Sequence, residues 1–289
     1  MARVFLGSYA VQFPVGGYLS WILQWLVGLR DLGHDVWYVE RSLGPGSCFD
    51  PSTGQMGDDP SSGTRALHEL LSRHDLGDRW CFVDEVGGTH GVDRETLDQA
   101  LSRADLFIDM GTHGTLEPES RQATKRVRVD GEPGFTQFRL IQQLEAGAVL
   151  PDYDALFTVG LNIGEAGCDV PTAGLAWHHL VFPVATRLFA VVDPPPDAPF
   201  TTVMSWQAHE PLVYEGRVYG NKDVEFTKFI DLPRRVSTPM EIAVSGRGLP
   251  RAALDRARWR VRDAHAVTST FDRFLGYLQA SQGEFSVCK

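Results

Sequence analysis

The sequence of 289 residues lacks an excess of positive charge. Its 37 acidic residues outnumber its 27 basic residues, which gives a formal net charge of −10. Proteins that bind DNA or RNA through the phosphate backbone carry a basic surface. The composition therefore speaks against nucleic acid as a partner.

Cysteine is also scarce. The four cysteines, Cys48, Cys81, Cys168 and Cys288, are far apart in the sequence and form no C-x-x-C pair. Structural zinc sites and the disulfide frameworks of small secreted domains need closely spaced cysteines. The sequence thus predicts reduced, partly buried thiols, and neither a metal nor another cofactor.

No apolar run is long enough to cross a membrane. The most apolar stretch, residues 18–29, contains Ser20 and Gln24, whereas a membrane-spanning helix needs roughly 20 apolar residues. Met1 is followed almost at once by the strand-like residues 3–7, without the long apolar segment of a signal peptide. We therefore expect a soluble, cytoplasmic protein without a membrane span.

The first 40 residues have the pattern of a βαβ unit. A buried strand over residues 3–7 precedes a glycine-containing loop, an amphipathic helix over residues 18–32, a C-cap at Gly33 and a second strand over residues 35–40. Short apolar strands then alternate with helices as far as residue 159. This order predicts an α/β fold with a Rossmann-like, doubly wound parallel sheet.

A proline-rich segment predicts two domains. Residues 194–199 contain four prolines, which block both helix and central strand. We predict a Rossmann-like domain over residues 1–193, a linker over 194–199 and a second α/β domain over 200–289. The second domain shows two convincing strands, residues 200–206 and 239–245, and helices over residues 250–263 and 270–280. We expect an incomplete Rossmann-like unit with an exposed apolar face; a small, complete appendage is the alternative.

Loops that follow strands are the candidate binding segments, because ligands of open α/β sheets lie beyond the carboxyl ends of the strands. Gly16 and Gly17 precede a helix, where free backbone N–H groups attract anions; a tight packing turn is the alternative. His113 follows the strand over residues 104–110 and is a candidate general base near neutral pH. A loop histidine that only binds neighbouring backbone is the other interpretation.

Two acids follow the strand over residues 126–130. Asp130 and Glu132 are candidates for binding sugar hydroxyls or for orienting a base, with Asp130 as the second catalytic candidate. The competing interpretation is a turn-forming aspartate with a solvated neighbour.

Several of these segments resemble a known family. The motifs Phe13-Pro14-x-Gly16-Gly17 and Gly28-Leu29-x-x-Leu32-Gly33-His34-x-Val36 are similar to the N-terminal domain of GT-B-fold glycosyltransferases. Residues 129–137, 157–164, 219–226 and 283–289 are similar to segments of uncharacterised bacterial members, close to families 1 and 4. The resemblance covers nearly the whole chain.

This resemblance implies two Rossmann-like domains, an acceptor-binding N-terminal one and a C-terminal one that binds a nucleotide-sugar donor. It implies a hexosyltransferase-like enzyme that transfers a sugar to a hydroxyl of a small-molecule or glycan acceptor without a required metal. Further substrate-binding candidates by resemblance are Asn162, Lys222, Glu284 and Lys289. The chain ends before most of the family's donor-binding region, so we expect a C-terminal truncation. An inactive fragment is the alternative to an active enzyme.

Two other functions stay open at this point. One is a non-catalytic binding or scaffold protein with a GT-B-like fold, and the other is a nucleotide-sugar enzyme such as an epimerase, which needs no acceptor. Asp152-Tyr153-Asp154 matches the D-x-D pattern that holds a metal in one class of glycosyltransferases. It lies before a predicted strand, at the wrong end for the site, so we predict no metal there.

Overall fold

The computed structural model describes residues 1–111, 115–150, 152–208 and 210–287. Contacts divide the chain into two compact units: residues 1–14 with 18–188, and residues 15–17 with 189–289. The predicted linker, residues 194–199, lies in a segment without helix or strand. No helix in the described part of the chain has the length and apolar character needed to cross a membrane.

The described residues of the first unit form ten strands. Eight of them form one sheet: β1 (Arg3–Gly7), β2 (Asp35–Arg41), β5 (Trp80–Val83), β6 (Thr89–Gly91), β7 (Leu106–Asp109), β8 (Lys125–Asp130), β9 (Ala155–Thr158) and β10 (Trp177–His179). The other two, β3 (Cys48–Asp50) and β4 (Gln55–Gly57), form a separate hairpin.

The order of the large sheet is β10-β9-β8-β7-β1-β2-β5-β6. All neighbouring strands are parallel except β5 and β6. From β1 the chain first adds strands on one side, then returns and adds β7 to β10 on the other. The predicted doubly wound parallel sheet is thus confirmed, and the chain changes direction between β1 and β7.

Five helices connect these strands: α1 (Gly16–Asp31), α2 (Ser61–Ser72), α3 (Arg94–Leu101), α4 (Glu117–Ser120) and α5 (Phe135–Glu145). The apolar residues of α1 recur at helical spacing and are buried, and Gly33 follows the helix with φ +86°. The Asp93 side chain caps α3 by accepting a hydrogen bond from Thr96 N.

The core of the first unit lies on the sheet. A cluster of buried side chains joins β1, β2, β5, β7 and α3, and includes Phe5, Trp37, Cys81, Leu97 and Phe107. The thiols of Cys48, Cys81 and Cys168 are free. Burial raises the pKa of Cys48 to about 11 and that of Cys81 to about 12, so both stay protonated near neutral pH.

In the second unit, the residues that the structure describes form six strands and four α-helices. The strands are β11 (Phe200–Ser205), β12 (Leu212–Tyr214), β13 (Arg217–Tyr219), β14 (Met240–Ser245), β15 (Arg260–Asp263) and β16 (Gly283–Glu284); the helices are α6 (Lys222–Thr227), α7 (Arg251–Arg256), α8 (Ala264–Thr268) and α9 (Phe271–Gln279). Four strands form a parallel sheet in the order β15-β14-β11-β16, and β12 with β13 forms a hairpin.

Two sequence-based expectations for this unit are wrong. Residues 250–263 form α7 followed by β15, because pairing with β14 makes a strand of a segment in which arginines alternate with Val261. One face of the sheet packs a core that includes Phe226, Ile242, Leu254 and Trp259. The other face packs α8 and α9 through Ala243 and its neighbours, so the apolar face expected to be exposed is covered.

Candidate functional site

A cavity of about 230 Å³ lies in the first unit at the carboxyl ends of β1, β7 and β8. In doubly wound sheets the ligand crevice forms where the strand order reverses, which here is between β1 and β7. Four aromatic side chains and four charged ones line it, and we call it the aromatic cavity: Tyr9, Tyr18, Trp21, Phe182, Arg128, Asp130, Glu132 and Arg139.

The aromatic rings form a continuous wall. Tyr18 and Trp21 lie one turn apart near the start of α1, with ring centroids 6.4 Å apart. Tyr9, from the loop after β1, meets Tyr18 edge-on at 5.1 Å, and Phe182 meets Trp21 at 5.5 Å. Burial raises the pKa of both tyrosines, so their hydroxyls stay neutral. Such rings offer flat apolar faces with hydroxyl groups at their edges.

Asp130 is buried at the end of β8 and is saturated with hydrogen bonds. One carboxylate oxygen accepts from Glu132 N at 2.9 Å and from Thr136 Oγ1 at 2.6 Å. The other accepts from Gln137 Nε2 and from Thr158 Oγ1, both at 2.9 Å. Two donors on each oxygen fix the strand, the turn and the start of α5 relative to one another. Asp130 thus positions the groups that line the cavity.

Charged groups of both signs stand beside the aromatic wall. The Glu132 carboxylate lies 3.6 Å from an Arg139 guanidinium nitrogen, and both side chains are nearly half exposed. Arg128 lies in β8 two residues before Asp130. Because alternate residues of a strand share a face, both side chains lie on the side of the strand that lines the cavity. Hydroxyl groups can donate to the carboxylate and accept from the guanidinium groups.

The loop that carries Tyr9 is held by Glu40, the acid at the end of β2. The fully buried Glu40 carboxylate accepts hydrogen bonds from Val11 N at 2.7 Å, Gln12 N at 2.8 Å, Gln12 Nε2 at 3.0 Å and Tyr38 Oη at 2.5 Å. Burial raises the pKa of this carboxyl to about 7, against the opposing effect of these donors. Glu40 therefore organises the loop from inside the protein.

A second cavity, of about 720 Å³, lies in the second unit among the segments that follow β11 and β14. We call it the strand-end cavity; its polar lining includes Gln207, Glu210, Asn221, Asp223 and Arg247. Arg247 contacts Glu210 at 2.8 Å, and Gln207 Nε2 donates to Asp223 at 2.7 Å.

Two glycines shape one edge of the strand-end cavity. Gly246 and Gly248 flank Arg247 and have φ of +93° and +73°. A Cβ on Gly246 would lie 2.8 Å from the carbonyl oxygen of Gln207. Only glycine therefore allows the backbone to pass this close and to carry Arg247 into the cavity lining.

The predicted site residues are distributed unevenly. Asp130 and Glu132 line the aromatic cavity, whereas Gly16 is buried as the first residue of α1, Gly17 is exposed, and Asn162 is exposed in the turn after β9. Lys222 begins α6 between two residues that line the strand-end cavity, and Glu284 is exposed on β16. His113 and Lys289 lie outside the described residues. The roles assigned to all of these residues stay predictions.

Sequence reasoning missed the aromatic wall and Arg128. The spacing of Tyr18 and Trp21 at the start of α1, and the alternation Arg126-x-Arg128-x-Asp130, were the available signals. Asp154 of the D-x-D segment has a structural role. Its carboxylate accepts hydrogen bonds from Lys125 Nζ at 2.6 Å and from Arg126 N at 2.8 Å, at the start of β8. Among the described residues, no group of three or more His, Cys, Asp or Glu side chains is placed to hold a metal ion.

No protein-family description and no curated protein matches the chain. Among solved structures, an alpha-glucosyltransferase in complex with UDP is similar over all of this chain and 74% of its own, with 10% identity and a TM-score of 0.53. An alpha-glucosyltransferase in complex with UDP and a 13-mer DNA containing a central A:G mismatch is similar over all of this chain and 72% of its own, with 9% identity and a TM-score of 0.50. These similarities show the fold, which is the Rossmann-like α/β fold of GT-B proteins.

Proposed function

We propose that the protein is a glycosyltransferase of the hexosyltransferase type, which transfers a sugar from a nucleotide-sugar donor to an acceptor hydroxyl. The observation that carries the proposal is the aromatic cavity at the point where the strand order reverses. It combines ring faces with a carboxylate and guanidinium groups, in a fold shared with two alpha-glucosyltransferase structures.

The aromatic cavity takes the acceptor in this proposal. The apolar face of a sugar or similar ring packs on Trp21 and Tyr18, while its hydroxyls bind Glu132 and Arg139. Asp130 positions these groups, since both of its oxygens already accept two hydrogen bonds. Gly16 and Gly17 remain proposed acceptor-side residues, and Asn162 remains a proposed substrate-binding residue.

The strand-end cavity takes the donor. Its volume of about 720 Å³ lies in the range of sites for small molecules and cofactors. Arg247 is its candidate for the diphosphate, because guanidinium groups bind phosphate oxygens in pairs. Lys222, Glu284 and Lys289 remain proposed donor-side residues. Both similar structures hold UDP, so uridine nucleotides are the first to test.

The reaction forms a bond between the acceptor oxygen and the anomeric carbon, and it breaks the bond between that carbon and a phosphate oxygen of the nucleoside diphosphate. The proton of the acceptor hydroxyl passes to a general base, for which His113 is the candidate. The departing diphosphate carries the negative charge, which Arg247 and the lysines stabilise without a required metal.

A donor screen tests the proposal. Thermal denaturation is followed with UDP, UDP-glucose and other nucleotide sugars, and transfer of labelled sugar to glycan and small-molecule acceptors is then measured. A nucleotide at a hundred times its dissociation constant stabilises the fold by about 2.7 kcal/mol. Stabilisation and transfer support the proposal. A new sugar nucleotide formed without an acceptor indicates an epimerase, and the lack of both binding and transfer contradicts the proposal.

A further inference from the structure

The second unit contains another cavity, of about 340 Å³, at the opposite edge of its sheet from the strand-end cavity. It lies beside the amino ends of β11, β14 and β15 and beneath α9. We call it the arginine cavity, after three of its lining residues: Arg260, Arg262 and Arg273. None of the residues proposed for sugar transfer lines it.

Two polar side chains in this cavity are buried with few partners. Glu241 is 4% exposed, and its Oε1 lies 2.9 Å from Nε of the exposed Arg262. Tyr277 is 8% exposed, and its Oη is buried without a hydrogen bond of normal geometry. Burial and the charge of Glu241 raise the pKa of Tyr277. The Glu241 carboxylate and the Thr201 hydroxyl are both within reach of this hydroxyl, so the three groups form one polar cluster in the cavity lining.

The charges of the cavity favour an anion. Three guanidinium groups face one carboxylate, in a chain whose net charge is −10. Arg273 donates to the carbonyl of Ala266 at 3.2 Å and keeps other N–H groups. Arg260 makes no hydrogen bond or ion pair with any part of the chain that the structure describes. A phosphate monoester carries close to two negative charges at neutral pH, which matches the local excess of two positive charges.

The remaining lining groups suit hydroxyls. Glu241 accepts hydrogen bonds, Tyr277 can donate or accept one, and the hydroxyls of Thr201 and Ser281 lie 2.8 Å apart in the same lining. We infer that the arginine cavity binds a small polyol phosphate, such as a sugar phosphate. The phosphate binds Arg260 and Arg273, and the hydroxyls bind Glu241 and Tyr277.

Isothermal titration calorimetry with glucose 6-phosphate tests this site, with glucose and inorganic phosphate as comparison ligands. We expect saturable binding of glucose 6-phosphate. Arg260→Gln and Arg273→Gln should each weaken it about tenfold or more, because each removes a charge-assisted contact. Tyr277→Phe should weaken glucose 6-phosphate several-fold and leave inorganic phosphate unchanged. Arg256→Gln, an exposed arginine of α7 outside the cavity, is the matched control.

Three outcomes would overturn the inference. The first is no saturable binding of glucose 6-phosphate up to about 10 mM, a concentration at which even weak sites fill. The second is an equal loss in Arg256→Gln. The third is an affinity for glucose, or for inorganic phosphate, equal to that for glucose 6-phosphate, since either removes the need for a ligand with both groups. The substitutions at exposed arginines leave the core untouched, so each variant can be assayed in its folded form.

Discussion

Buried carboxylates hold the ends of three parallel strands in the first unit. Glu40, the next-to-last residue of β2, binds the loop after β1, and Asp130 binds the turn after β8. Asp109 accepts hydrogen bonds from Gly111 N at 3.0 Å and from Tyr153 Oη. Carboxyl groups tolerate burial only when hydrogen bonds satisfy their oxygens. These three residues therefore fix the loops around the aromatic cavity before any ligand binds.

The first residue-scale prediction concerns Asp130. Asp130→Asn places an NH2 group where two donors now meet one carboxylate oxygen, so it should lower the free energy of unfolding by about 1–3 kcal/mol. Urea denaturation measures this change. Asp152→Asn, at an exposed aspartate, is the control and should stay within about 0.5 kcal/mol of the wild type. Equal stabilities of the two variants would show that the four hydrogen bonds of Asp130 are dispensable.

The raised pKa of Glu40 predicts that the stability of the protein depends on pH. Burial raises the pKa of its carboxyl from 4.5 to about 7, so the folded state binds the proton more tightly than the unfolded state. The stability that this shift contributes is fully present below pH 4.5 and is lost as the pH rises through 7. The contribution of this pKa shift to the free energy of unfolding is about 3 kcal/mol.

Urea denaturation at a series of pH values measures this contribution. The unfolding free energy of the wild type should fall over that interval relative to Glu40→Gln, which has no ionisable group at the position. The glutamine variant is less stable overall, because its NH2 group opposes the donors of Val11 and Gln12. If the unfolding free energies of the two proteins change with pH in parallel, ionisable groups other than Glu40 cause the pH dependence of the wild type.

At the scale of elements, α2 depends on a glycine that its packing requires. A Cβ on Gly63 would clash with the carbonyl oxygen of Val11 and lie 2.7 Å from the carbonyl carbon. Gly63→Ala should therefore destabilise the protein by about 1–3 kcal/mol, although alanine favours helix. Gly28→Ala in α1 meets nothing within 4 Å and should stabilise by about 0.5–1 kcal/mol. Opposite shifts of the urea midpoint are expected, and shifts of the same sign would contradict the packing of α2 on this loop.

At the scale of the whole molecule, the proposed function assigns each substrate to a different unit. Arg247→Gln should weaken UDP binding about tenfold or more, through loss of a charge-assisted contact. Trp21→Ala should raise the KM for the acceptor and leave UDP affinity within about twofold, since it removes only ring packing in the first unit. Calorimetry and steady-state kinetics measure the two effects, with Arg256→Gln as a control. Loss of UDP binding in Trp21→Ala would contradict this assignment.

Local patterns predicted most elements of the fold. The strand pattern of Arg3–Gly7, the helix Phe135–Glu145 and the strand Trp80–Val83 are confirmed, because each has its own hydrophobic period and clear ends. The elements that sequence reasoning missed are short or depend on a partner. The hairpin of β3 and β4 lies in a segment rich in glycine and serine, and β15 is a strand because it pairs with β14.

The sequence by itself determined that the chain is α/β and that its first sheet is mostly parallel and doubly wound, and it predicted that binding segments follow the strands. These features depend on residue periodicity, which needs no knowledge of distant contacts. It also pointed to Asp130 and Glu132, because the strand that precedes them ends there.

Only the tertiary structure decided what each acid at a strand end does. Glu40, Asp130 and Glu132 all follow or end predicted strands, but two are buried among donors and one is nearly half exposed beside Arg139. The structure alone also brings Phe182 to Trp21. The physical reason is that burial and hydrogen-bond partners come from residues distant in sequence, and these set whether a carboxylate holds a loop or faces a ligand.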